Sequence, residues 1–133
     1  MTRDDFKPLA EFIKTRYAPA NEWGDELLLN YICWAADNDF LFIARGEDET
    51  IHGAALARTV AKVPVESDTE HDLAGKIILV DCMVADDKRY FQLLGFTILE
   101  AFASCHTVMF QRLHRGNKLK AYPADKVFKT LRK

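Results

Sequence analysis

Apolar side chains at Phe6, Leu9, Ile13 and Tyr17 recur at helical spacing and predict an amphipathic helix over residues 5–17. Pro8 suits its first turn, where a missing N–H costs little, and Pro19 stops it. A second stripe, Leu28, Tyr31, Ile32 and Ala35, predicts a helix opened by Asp25 as N-cap and ended by Asp37-Asn38-Asp39. Two strand-like runs follow, over 40–45 and 50–62, with Gly46-Glu47-Asp48-Glu49 as the polar turn between them. Together they predict a β-hairpin. Residues 63–75 are polar and acidic and predict a loop. The most continuous apolar run, 77–84, predicts a central strand. Phe91, Leu94, Ile98 and Phe102 then return to helical spacing, with Asp86-Asp87 placed to cap the helix. Alternation over 107–113 predicts one more strand, Gly116-Asn117 breaks it, and Pro123-Ala124-Asp125 opens a last helix carrying Val127, Phe128 and Leu131.

The expected fold is therefore mixed α/β, with element order α-α-β-β-β-α-β-α in a single domain over 1–133. The β-α-β unit over 77–113 should be parallel and right-handed, with the hairpin adding antiparallel strands. Composition narrows the class. Residues of apolar type make up 49% of the chain, which argues against disorder, and no apolar run reaches the ~18–20 residues of a membrane span. The acidic start, Met1-Thr2-Arg3-Asp4-Asp5, does not read as a secretory signal. Cys33, Cys82 and Cys105 sit in apolar stretches and read as reduced core thiols of a cytoplasmic protein. No metal is expected, because His52, His71, His106 and His114 show no ligand spacing with one another or with the cysteines.

The net charge of −2 conceals an asymmetry: residues 111–133 carry eight basic side chains and one acid, and the rest of the chain carries ten against nineteen. A basic end can meet nucleotide phosphates, nucleic acid or an acidic partner, or serve as a solvated face beside an acidic body. Arg112, His114, Arg115, Lys118 and Lys120 form a basic strand end and loop, but no helix-turn-helix, aromatic ribonucleoprotein motif or zinc finger accompanies them. Nucleic acid therefore ranks third among the expected roles.

The element order resembles the GNAT superfamily of N-acetyltransferases. Ile51-His52-Gly53 is similar to the family's (I/V)xG at the start of the second hairpin strand. Ile78-Leu79-Val80-Asp81-Cys82-Met83-Val84 is similar to the central strand that carries the pantetheine arm of acetyl-CoA, and Asn117 and Tyr122 resemble the family's Asn…Tyr stretch. The resemblance implies transfer of an acyl group from acetyl-CoA or another acyl-CoA to an amine of unspecified type. It places Cys82, Met83, Val84, Lys88, Arg89, Gln92 and Asn117 around the cofactor, with Asp81 as base and Tyr122 as acid. It also implies a fold truncated at the C-terminus, whose two closing strands are either missing or supplied by a partner chain, as in a homo-oligomer.

One departure is local. The family's (Q/R)xxGx(G/A) lets backbone amides at a helix N-terminus wrap a diphosphate. With Arg89 in its first position, Gln92 and Leu94 fill the glycine places, Gly95 falls too far into the helix, and Asp86 and Asp87 add negative charge where an anion would sit. A non-catalytic protein of the same fold, used as a structural or interaction module, is the alternative expectation. For Asp81 the competing role is an ion pair, for example with Arg112. For Tyr122 it is packing of the last helix, and for Cys82 a buried, inert thiol.

Overall fold

A computed structural model of the chain describes residues 3–17, 22–60, 76–112 and 118–132. Helix α1 (Lys7–Arg16) follows a 3-10 turn at Arg3–Phe6, and helix α2 is Asp25–Asp37. Strands β1 (Leu41–Arg45), β2 (Ile51–Val60) and β3 (Ile77–Ala85) come next, then helix α3 (Lys88–Ala101), strands β4 (Thr107–Arg112) and β5 (Lys118–Pro123), and helix α4 (Ala124–Leu131). The five strands form one mixed sheet in the order β1-β2-β3-β4-β5. Hydrophobic patterning predicted every one of these elements except β5, whose residues the sequence reading left to the break after 113. The chain divides into two compact units, Met1–Leu56 with Cys82–Leu94, and Ala57–Asp81 with Gly95–Lys133.

In the first unit, the helix stripes are buried largely as the spacing requires. Leu9 and Ile13 of α1 and Leu28, Ile32 and Ala35 of α2 are all inside, each large side chain contributing about 1.5–3 kcal/mol of burial. Asp25 is the first helical residue and not the cap. The cap position is Gly24, at φ 80°, and Asp25 instead pairs with Lys14 of α1. Helix α2 ends in a Schellman turn: Phe40 N–H donates to Ala35 O at 2.8 Å and Asp39 N–H to Ala36 O at 3.3 Å. Asp39 takes the left-handed position, φ 62°, that glycine favours. The ring of Phe40 closes the turn against Trp34. Strands β1 and β2 pair antiparallel from Leu41↔Leu56 to Ala44↔Gly53, with a bulge before Arg45↔Ile51. Asp48 organises the connecting turn by accepting Thr50 N–H at 3.1 Å, and its carboxyl is held below the usual range by those Thr50 hydrogen bonds.

In the second unit, β3 and β4 run parallel from Ile77↔Thr107 to Val80↔Phe110, and β4 and β5 run antiparallel from Thr107↔Pro123 to Arg112↔Lys118. Val60, Leu79 and Met109 form a buried cluster with Ile77 against it. Helix α4 docks on α3 at Gly95: a Cβ there would lie 2.5 Å from Leu131 Cδ1. Phe96 and Phe128 meet edge to face beside it, at 5.4 Å. Gly95 therefore makes room for a second helix.

Candidate functional site

The segment that leaves β3 and enters α3 gathers the richest polar cluster in the first unit. Asp86 sits at its centre. Arg16 Nε donates to Asp86 Oδ1 at 2.7 Å, and His52 Nδ1 lies 2.9 Å from Oδ2. The guanidinium first, and the imidazole second, hold the Asp86 carboxyl below the usual carboxylate range. It is thus ionised at neutral pH and can only accept, so His52 Nδ1 carries the proton and donates it. Main chain reinforces the join, because Asp86 N–H donates to His52 O at 2.8 Å. The His52 ring stacks on Tyr90, centroids 4.7 Å apart and planes 12° apart. Arg89 reaches back over the Tyr90 ring and donates to its hydroxyl at 3.0 Å. His52 fixes Gly46 as well: a Cβ at Gly46 would lie 2.7 Å from the imidazole.

Asp87 does different work. Its Oδ1 accepts Tyr90 N–H at 3.2 Å, the side-chain cap of α3. A carboxylate thus occupies the end of the helix where free amides would attract an anion. An open cavity of about 640 Å³ lies near this cluster, bordered by Phe12, Arg16, Arg45, Thr50 and Ile51 among others. Arg16 is common to both. It grips Asp86 through Nε while its guanidinium lies 3.7 Å over the Phe12 ring.

The expected cofactor residues other than Asn117 fall in this unit. Cys82 and Val84 are buried, Met83 and Gln92 are half-buried, and Lys88 and Arg89 are exposed at the first turn of α3. Asn117 lies outside the described residues. The expected acid and base fall in the second unit. Asp81 Oδ2 lies 3.1 Å from Nε of Arg58, whose side chain is only 7% exposed. The ion pair anticipated for Asp81 is made with Arg58 of β2. Tyr122 opposes Val108 on β4, and Val108 opposes Ile78 on β3, so Tyr122 belongs to the Ile78 face of the sheet. Asp81, three residues beyond Ile78, belongs to the other face. The structure does not bring Asp81 and Tyr122 together. Tyr122 instead packs near Phe110, centroids 6.1 Å apart, with Lys126 of α4 5.9 Å over its ring.

The sequence assigns no site role to Arg16, Arg58 or Tyr90, and His52 enters it through the Ile51-His52-Gly53 motif and the absence of metal-ligand spacing. Arg58 left a readable signal: a single cation within a strand of small and apolar residues, matched by a single anion, Asp81, in the next. Arg16 left none, because its partner is 70 residues away. Among the described residues no group of three or more His, Cys, Asp or Glu could hold a metal ion, and no helix is long and apolar enough to cross a membrane. No family model matches the chain, and no curated protein or solved structure matches it.

Proposed function

We propose that this chain is a non-catalytic binding module built on a GNAT-like arrangement of helices and strands. The observation that carries the proposal is the Asp87 cap on α3. In the family this part of the fold holds a diphosphate on backbone amides, and here a carboxylate already accepts the Tyr90 amide. Those residues do not fit an acyl-CoA diphosphate. The chemistry expected of the site is dispersed in the same way. Asp81 is drawn into an ion pair with Arg58, and Tyr122 stands on the opposite sheet face, so the two supply no joint acid–base catalysis at one reacting group.

One observation favours the second reading, an acyl-CoA-dependent N-acyltransferase. The parallel ladder ends at Val80↔Phe110 whereas β3 runs on to Ala85, and a central strand that outruns its ladder is what a pantetheine arm pairs with in that family. Incubation with acetyl-CoA and a panel of primary amines, following release of free thiol, separates the two. The binding-module reading expects thiol release no faster than without protein. Protein-dependent, saturable release would overturn it.

A further inference from the structure

The open cavity of about 640 Å³ is bordered by residues of α1 and of the β1–β2 hairpin, all within the first unit. Its size falls within the ~300–1,000 Å³ of small-molecule sites. Most of its surface is apolar, with Phe12 and Ile51 contributing, and charged side chains of both signs border it. Arg16 is held in place. Its Nε donates to Asp86, its Nη1 donates to Phe12 O at 3.3 Å and to Thr15 Oγ1 at 2.8 Å, and the guanidinium lies over the Phe12 ring. Its Nη2 has no partner among the described residues, so a fixed guanidinium keeps two N–H donors to spare. Arg45 Nη1 donates to Glu49 O at 2.8 Å, but among the described residues Arg45 enters no ion pair. Glu11 and Glu49 enter none there either, and Lys14, the next cation after Glu11 on α1, pairs with Asp25.

We infer that this cavity binds a short apolar peptide with free ends, two or three residues long. Arg16 follows Glu11 by five positions on α1, about 7.5 Å along the axis at ~1.5 Å per residue. An extended peptide covers at most ~3.3–3.6 Å per residue, so two residues span ~7 Å and three ~10 Å. The ammonium at one end can thus meet Glu11 while the carboxylate at the other meets Arg16, and the apolar wall takes the side chains. Arg45 and Glu49 add one charge of each sign from the hairpin. A free amino acid carries both charges on a single residue and cannot reach both ends. A simple carboxylate would meet Glu11 and Glu49, and a simple amine would meet Arg16 and Arg45, with no opposite charge to offset the repulsion. None of the residues that border the cavity belongs to α3, so the inference is independent of whether the chain binds acyl-CoA.

Isothermal titration calorimetry of the full chain with leucylphenylalanine, and with its N-acetyl and C-amide forms, tests it. Saturable binding of the free dipeptide is expected at millimolar ligand. Blocking either end should weaken it at least about fivefold, as the loss of one partly exposed ionic contact does. Glu11→Gln, at an exposed helix position, should weaken the free dipeptide by a similar factor and leave the N-acetyl form unchanged. Arg45→Gln should weaken the free dipeptide and leave the C-amide form unchanged. Circular dichroism melts identify any variant that fails to fold, and if Arg45→Gln does so, Glu11→Gln carries the test by itself. The inference is overturned by no saturable binding at millimolar ligand, by blocked forms that bind as tightly as the free dipeptide, or by unchanged affinity in a folded Glu11→Gln. Every arm is read without acetyl-CoA, so failure of the peptide site is distinct from the outcome of the thiol-release test.

Discussion

At the scale of single residues, the two aspartates that bracket the end of β3 have been committed to structure in different ways. Asp81 forms an ion pair with a nearly buried arginine, and because its own side chain is 22% exposed the desolvation it suffers is partial. Asp81→Asn should therefore lower the unfolding free energy by about 2 kcal/mol, below the ~3–5 kcal/mol of a fully buried broken pair. A double-mutant cycle with Arg58→Met, read by urea denaturation, should return a coupling of about 1–3 kcal/mol. Additive effects would mean that the pair does not act as a unit. Asp86 contributes to acid behaviour. Its folded carboxyl is held below the ordinary value of ~3.9 by Arg16 and then His52, so it favours the folded state above that value. That contribution fades as pH falls through the depressed folded value. Stability of the wild type should drop more steeply below about pH 4 than that of Asp86→Asn, in urea melts across the acid range. Parallel profiles would remove Asp86 from the account.

At the scale of elements, backbone conformation and close approach decide what is tolerated. Gly53 of β2 is hemmed in on three sides, a Cβ there meeting Leu94 Cδ1 at 2.9 Å, Ala44 Cβ at 3.3 Å and the Val84 carbonyl at 3.4 Å. Gly53→Ala should cost about 1–3 kcal/mol, as overpacking does, and a thermal melt unchanged from wild type would contradict that packing. The left-handed Asp39 works in the other direction: Asp39→Gly should stabilise by about 0.5–1 kcal/mol, because glycine meets no Cβ penalty there. The helices and the first four strands were legible because apolar spacing is a local signal that tertiary structure then uses. Strand β5 was not, since its six residues, Lys-Leu-Lys-Ala-Tyr-Pro, are half polar and sit at a sheet edge, where pairing with β4 makes the strand. The polar cluster was illegible for a related reason. Asp86 could be seen as a charge near a helix start, but its neutralising partners come from α1 and β2, and no spacing rule joins residues 16, 52 and 86.

At the scale of the whole molecule, a mixed α/β chain whose element order resembles an acetyltransferase has its acidic residues turned to scaffolding. Asp86 ties α1 and β2 to the exit of β3, Asp87 caps α3, and Asp81 neutralises Arg58. Eight of its 18 lysines and arginines fall in residues 111–133, against one acid. Both features suit a protein that binds without turning a substrate over. Removing the Asp87 carboxylate frees one helix amide but leaves Gln92 and Leu94 in the places of the family's glycines, so Asp87→Gly alone should not create an acyl-CoA site. The most direct measurement is isothermal titration calorimetry of the wild-type chain with acetyl-CoA and with CoA at millimolar ligand, paired with a thermal-shift assay. A binding module of this kind predicts no saturable heat and no change in melting temperature. A saturable isotherm accompanied by an upward shift in melting temperature would contradict it and restore the acyltransferase reading.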